Sequence, residues 1–186
     1  MKKIICLISA VVVAAVLLTA CDSGNSKKTE TQTEAQTTAQ QGSETPTIGP
    51  AADRYTLVYK GTNIMMKAEA AAICEALGEC KSYNEETSCA FDGLDKSYTY
   101  TSFILTTYPD GDIDRINSVT LLDDTVSTVD GISIGDTKEK VESVYGADSF
   151  NGVNAYIMTE GQAQLAILID TTTEKVNSIQ YTALFE

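Results

Sequence analysis

The chain is predicted to be an α+β protein in which two tandem helix-plus-antiparallel-sheet repeats follow an apolar leader and a disordered polar linker. Three observations predict it. A sixteen-residue block ending in glycine recurs further along the chain, so that Asn63 to Gly78 lies without gaps on Gly131 to Gly146. A second, shorter block recurs in the same order, Asp110 to Val119 matching Asp170 to Ile179. The stretches between these blocks are β-rich runs punctuated by Pro, Gly, Asp and Thr, the pattern of a meander.

The first element is the leader, residues 1–20. Lys2 and Lys3 give it a positive start, Ile4 to Leu18 are almost wholly apolar, and Thr19 and Ala20 are small, which is the three-part layout of an export signal cut between Ala20 and Cys21. The apolar run is shorter than the roughly 20 residues a spanning helix needs, so it reads as removable. Leu18-Thr19-Ala20-Cys21 resembles the closing motif of bacterial lipoprotein signals. That resemblance implies lipidation of Cys21 as the first residue of the mature chain, and a lipid anchor in the membrane outside the cytoplasm. The alternative is an ordinary secretory signal in which Cys21 has no role.

Residues 21–53 come next. They are built from Thr, Gln, Ser, Glu, Ala and Gly, with Pro46 and Pro50 near the end and Ile48 as the lone large aliphatic residue. Such a segment buries too little apolar surface to offset the entropy of ordering. As a flexible tether it spans roughly 30 Å root-mean-square. A glycosylated or wall-binding stalk is the other reading of its dense threonines.

The first repeat is assigned to residues 54–124 and the second to 125–186. Tyr55 to Lys60 reads as a short strand. In the first copy Ile73, Ala76 and Leu77, and in the second Val141, Val144 and Tyr145, form one apolar helical face, and Gly78 and Gly146 stand where left-handed caps are expected. Asp136 or Thr137 caps the second helix, while Lys67 and Ala68 leave the first without a good cap. Strands are then expected at Ser88 to Phe91, Lys96 to Thr101, Ser102 to Tyr108 and Ile113 to Leu122, with Pro109-Asp110-Gly111-Asp112 as a hairpin turn. The second copy supplies Val153 to Thr159, Gln162 to Asp170 and Lys175 to Ala183, separated by Glu160-Gly161 and Thr171-Thr172-Thr173. Helices are expected on one face of the sheets.

Gly131-Ile-Ser-Ile-Gly-Asp-Thr-Lys-Glu-Lys-Val141 and the closing Lys175-Val-Asn-Ser-Ile-Gln-Tyr181 resemble the tandem helix-plus-sheet units of β-lactamase-inhibitor-like proteins. Small outer-membrane assembly lipoproteins with a single unit are more distantly similar. Ser88 to Tyr100 and Thr107 to Asp112 resemble stretches of uncharacterised lipoproteins of Gram-positive bacteria. The resemblance covers about Tyr55 to Tyr181 and implies a non-catalytic module that presents a sheet surface to another protein. No inhibitory loop matches residue by residue, so inhibition of a β-lactamase is not carried over.

Charge narrows the function classes. The 186 residues carry 13 basic and 26 acidic side chains, a net charge of −13, and removal of a leader holding two of the lysines leaves −15. Such a surface repels nucleic acid and anionic headgroups, so no nucleic-acid partner is expected. There is no histidine. The usual general base near neutral pH is therefore missing, together with the familiar Ser and Cys triads. A paired-carboxylate hydrolase and a small-ligand receptor are the alternatives to a non-catalytic module that binds a protein or envelope component.

Candidate site residues follow. Cys74, Cys80 and Cys89 remain after Cys21, and an oxidising space favours pairing. A Cys80 to Cys89 bridge across the loop that returns from the first helix is preferred to Cys74 to Cys89. Connectivity does not follow from spacing alone, and three free thiols stay open. No metal or cofactor is expected: Asp110-x-Asp112-x-Asp114 imitates a calcium loop, but Arg115 and Leu121 stand where glycine and glutamate are required. Tyr98, Tyr100 and Tyr108 are the candidate partner-binding residues, since tyrosine combines contact area with a polar tip. Filling the core is the competing role for Tyr98 and Tyr100, and the expected one for Tyr145 and Tyr181.

Overall fold

A computed structural model of the chain describes residues 53–185. The leader, Cys21 and nearly all of the polar tether lie outside the described residues. The chain opens with a hairpin of β1 (Thr56–Tyr59) and β2 (Thr62–Met65). Tyr59 pairs with Thr62, so Lys60 and Gly61 make the turn, both at positive φ, as a two-residue hairpin of matching twist requires. Helix α1 (Ala70–Leu77) follows, then β3 (Ser82–Thr87), β4 (Leu94–Thr99), β5 (Phe103–Asp110) and β6 (Ile113–Leu121). The second half holds α2 (Lys138–Tyr145), a short 3₁₀ turn at Ala147–Ser149, β7 (Ala155–Glu160), β8 (Ala163–Asp170) and β9 (Lys175–Ala183).

The expected α+β pair of tandem helix-plus-sheet repeats is corrected by the topology. The described residues are mostly β, with two helices of eight residues each beside one continuous antiparallel sheet of seven strands in the order β3-β4-β5-β6-β9-β8-β7. The sheet runs across the boundary drawn after Asp124. Its middle is the pairing of β6 with β9 through Ser118 with Thr182, Val119 with Tyr181 and Thr120 with Gln180. Two separate small sheets would each leave an unpaired edge at this point, with exposed N–H and C=O groups, and fusion removes both.

Away from that short junction β6 and β9 take other partners. Lys67 N–H donates to the Ile116 carbonyl at 2.8 Å and Ile116 N–H to the Ala68 carbonyl at 2.9 Å. On the other strand Gly135 N–H donates to the Val176 carbonyl at 2.7 Å and Val176 N–H to that of Asp136 at 2.8 Å. These segments lead straight into α1 and α2 and fix where each helix starts. Thr137 caps α2, its hydroxyl accepting the Lys140 N–H, whereas Glu69 at the start of α1 makes no side-chain cap bond. Both helices end at glycines with positive φ, Gly78 and Gly146.

Strand positions were well anticipated where turn residues flank the run, and badly where the run is polar. Ser88 to Phe91, expected as strand, is a turn: Ser88 N–H donates to the Gly93 carbonyl, and the Ser88 hydroxyl accepts from the Ala90 and Phe91 N–H groups. The true edge strand is β3, Ser-Tyr-Asn-Glu-Glu-Thr, in which every residue is exposed.

Register explains the core. One transverse row across all seven strands reads Tyr83, Tyr98, Leu105, Val119, Tyr181, Leu165 and Met158. Leu105, Val119, Tyr181 and Leu165 in this row are fully buried, and with Ile132, Val141 and Tyr145 from the helix side and Leu57 and Ile64 from the hairpin they form one apolar cluster. The hairpin and both helices pack on this face.

Candidate functional site: the open polar face of the sheet

Because side chains alternate along a strand, the residues next to that apolar row point to the opposite face. One step along each strand gives Asn84, Ser97, Thr106, Ser118, Thr182, Gln164 and Thr159, a row of paired neighbours that spans the whole sheet without an apolar or charged member. The next row on the same face is Ser82, Thr99, Ile104, Thr120, Gln180, Ala166 and Ile157. These residues are exposed or half-buried apart from Ser118, which shares a 2.7 Å hydrogen bond with Thr106 at the centre of the face. No described element lies over them.

The local sequence forces this. Between Thr106 and Thr107 the pairing slips by one residue, Thr106 facing Ser118 and Thr107 facing Ile116, so Asn117 is left over in β6. A bulge of this kind bends the strand and re-aims side chains. Here a shallow groove of about 160 Å³ forms, lined by Asn84, Glu86, Asp95, Ser97, Thr106 and Asn117 among others. One oxygen of Asp95 is buried without a hydrogen-bond partner in the protein. At its end the face carries an aromatic patch: Tyr108, two residues from Thr106, packs at 4.8 Å from Phe91 and 4.9 Å from Phe185, and these two lie 5.1 Å apart. Phe185 remains 47% exposed.

Chemically the face offers a full row of hydroxyls and amides, each able to donate and accept, beside a second row that adds the apolar side chains of Ile104, Ala166 and Ile157, and both rows are neutral at every physiological pH. Charge enters mainly at the β3 and β4 end through Glu86 and Asp95. A broad flat array of this type suits many shared hydrogen bonds with an extended polar surface.

The tyrosine candidates do not lie on one face. Tyr98 and Tyr100 belong to the apolar side: Tyr100 is buried with its ring 4.9 Å from Phe103, and Tyr98 is half-buried against Tyr83 at 5.1 Å. Burial, and after it the charges of Cys74 and Cys80, pushes the Tyr100 hydroxyl well above its ordinary pKa. Tyr108 is on the open side but is itself buried beneath Phe91 and Phe185. The three therefore do not make one contact surface, and core packing decides two of them. Tyr145 and Tyr181 are buried, as expected.

The cysteine expectation is also corrected. Cys74, Cys80 and Cys89 are all free thiols. Residues 82–87 form a strand instead of a loop, so Cys80 and Cys89 stand at opposite ends of β3. Its five steps alone span about 17 Å. A disulfide needs Cα atoms within roughly 7 Å.

Two of the three acids of the calcium-like stretch are held in ion pairs, Asp114 with Lys96 at 2.6 Å and Asp110 with Arg115. Among the described residues no group of three or more His, Cys, Asp or Glu is placed to hold a metal ion.

No family model matches the chain, and no curated protein matches it. Among solved structures it is similar to a cysteine-rich secretory protein from Staphylococcus aureus subsp. aureus Mu50, with a TM-score of 0.46 and 14% identity, over 63% of this chain and 44% of that one. It is also similar to an extracellular protein containing an SCP domain from Bacillus anthracis strain Ames, with a TM-score of 0.41 and 8% identity, over 68% of this chain and 48% of that one. The matched part is less than half the length of each of these two proteins.

Proposed function

We propose that the protein is a membrane-anchored extracytoplasmic lipoprotein, and that its folded region is a non-catalytic module that binds a protein or an envelope component. The leader, the Leu18-Thr19-Ala20-Cys21 motif and the Thr/Gln-rich tether support the location. The observation that carries the binding role is the uncovered row of hydroxyls and amides, Asn84, Ser97, Thr106, Ser118, Thr182, Gln164 and Thr159, which crosses all seven strands on the side opposite the core. A sheet that only had to fold would gain by covering that side or by charging it. A neutral polar plane instead keeps its hydrogen-bonding capacity for a second surface.

The test is in-cell photo-crosslinking from the full chain, with the reactive residue at Thr106 or Thr182. Adducts from these positions and not from Glu75 on α1 are expected. Equal labelling from Glu75, or none from the face, removes the assignment. For the anchor, Cys21→Ala is expected to shift the protein from the membrane fraction to the medium or to an unprocessed form, and unchanged retention contradicts lipidation.

A further inference from the structure

The sheet ends in two edge strands, β3 and β7. The outer side of β7 is guarded at its start, where Phe150 bridges to Tyr156 and Asn151 N–H donates to the Ala155 carbonyl at 2.8 Å. The outer side of β3 has no such guard. β3 pairs with β4 in unbroken register from Ser82 with Thr99 to Thr87 with Leu94, and among the described residues no strand or bridge pairs its other side. Its sequence, Ser-Tyr-Asn-Glu-Glu-Thr, is exposed throughout and holds no proline, no lysine and no bulge, the usual devices that blunt an edge. A row of backbone N–H and C=O groups therefore stands open to a further strand.

The charges on this edge are all negative. Glu85 and Glu86 are consecutive, so they point to opposite faces of the sheet. Glu86 stands directly opposite Asp95, and both line the groove on the open face. Like charges in direct register destabilise a strand pair, and one Asp95 oxygen is buried without a partner. Glu85 stands opposite Lys96, but that ammonium is held by Asp114 at 2.6 Å, and Glu85 accepts the Tyr83 hydroxyl at 2.6 Å instead. Among the described residues neither glutamate belongs to an ion pair.

We infer that the outer edge of β3 takes an extended, cationic segment of a protein partner as an added strand, with two consecutive Lys or Arg residues set against Glu85 and Glu86. Residues paired across two strands share a face, so one basic side chain falls beside Glu85 and the next beside Glu86. Main-chain hydrogen bonds supply the affinity in such strand addition, and the alternating side chains supply the choice of segment. A second copy of this chain is the wrong occupant. Its β3 brings the same pair of carboxylates, and two bodies of net charge −13 repel. The inference rests on the reading of the folded region as a protein-binding module, and it names the segment that module takes.

The test titrates the full chain into a fluorescent peptide of alternating Thr and Val around a central Lys-Arg pair, read by anisotropy. Saturable binding is expected, and a peptide with Glu-Asp at the centre is expected to bind about tenfold more weakly or worse, because like charges then face each other. Glu85→Lys combined with Glu86→Lys, both at exposed positions, is expected to reverse that preference. Methylating every second peptide amide nitrogen is expected to abolish binding for one of the two alternating sets and to spare it for the other, since only one edge of the peptide faces β3. Binding that tolerates both sets is adsorption by charge alone and overturns the inference, as does self-association of the chain through β3. Failure of the Lys-Arg peptide to bind, with cellular adducts from Thr106 and Thr182 intact, overturns it too and leaves the reading of the open face standing.

Discussion

The two faces of the seven-stranded sheet are made by the same strands and differ only by one step of register. On one side Leu105, Val119, Tyr181 and Leu165 are fully buried under the hairpin and the helix side. On the other Thr106, Ser118, Thr182 and Gln164 stand side by side with no described element above them. Stability is thus concentrated on one face, which leaves the composition of the second free to answer to something else. A full-width row of uncharged hydroxyls and amides stands out in a chain of net charge −13, because charge is the more direct route to solubility.

The comparison breaks most easily at Leu165 and its neighbour. Leu165→Ala is expected to cost about 2–5 kcal/mol in urea unfolding, through lost burial and the cavity left behind. Gln164→Ala, one residue away on the open face, is expected to change it by less than about 0.5 kcal/mol. Equal costs would mean that the second face is packed.

Two tyrosine hydroxyls sharpen the description of the apolar side. The Tyr145 hydroxyl donates to Thr128 at 2.9 Å in a buried setting, and Tyr145→Phe is expected to destabilise by about 1 kcal/mol. The Tyr181 hydroxyl is buried without a partner, and burial drives its pKa far up. Tyr181→Phe is therefore expected to be neutral or to stabilise by up to about 1 kcal/mol. Opposite signs in the same thermal-melt series bear this out, and a loss at Tyr181 would show that its hydroxyl is satisfied.

The smallest effect belongs to Asp136, whose carboxylate accepts the Ser133 N–H and the Lys140 ammonium, each at 2.7 Å. Burial alone would raise its pKa, but these two bonds outweigh it and hold the carboxyl below the usual range. A depressed folded-state pKa contributes stability above the unfolded carboxylate value near pH 4, and that contribution is lost as pH falls through the folded value. Asp136→Asn is expected to flatten the stability curve in that acid window and to cost under about 1 kcal/mol at neutral pH, as for a partly solvated pair. An unchanged acid limb would contradict the ion pair.

Reading from sequence to fold succeeded where the local signal is strong. A 3.6-residue stripe ending in glycine locates both helices, and of the two expected caps, Asp136 or Thr137, the structure uses Thr137, whose hydroxyl satisfies an otherwise unpaired N–H. Turns at Asp110-Gly111 and Glu160-Gly161 located their hairpins for the same kind of reason. The edge strand β3 escaped because an edge with no buried side carries no alternation to read. The joining of β6 to β9 escaped because it is a long-range pairing of only three residue pairs, with no local signature. The two recurring blocks therefore read as two separate units, and nothing local showed that their strands join in one sheet.

The site was hidden by parity. Tyr98 and Tyr100 alternate along a strand, which places them on one face, but only the pairing of Tyr98 with Leu105 reveals that this face is the core. Once Leu105 sets the phase, Thr106 and Ser97 fall on the open side, and residues that look like filler in the sequence line up into a plane. Cys80 and Cys89 were linked in expectation because the intervening residues read as loop, and the strand that replaces it holds them apart.

The central claim is that one face holds the fold and the other is free, and adjacent residues in β9 test it most directly. Tyr181→Lys is expected to abolish cooperative unfolding, since it places a charge among fully buried side chains. Thr182→Lys is expected to unfold in urea within about 0.5 kcal/mol of the parent, its ammonium in solvent. If Thr182→Lys instead loses several kcal/mol or fails to fold, the polar face is an interior surface and the account is wrong.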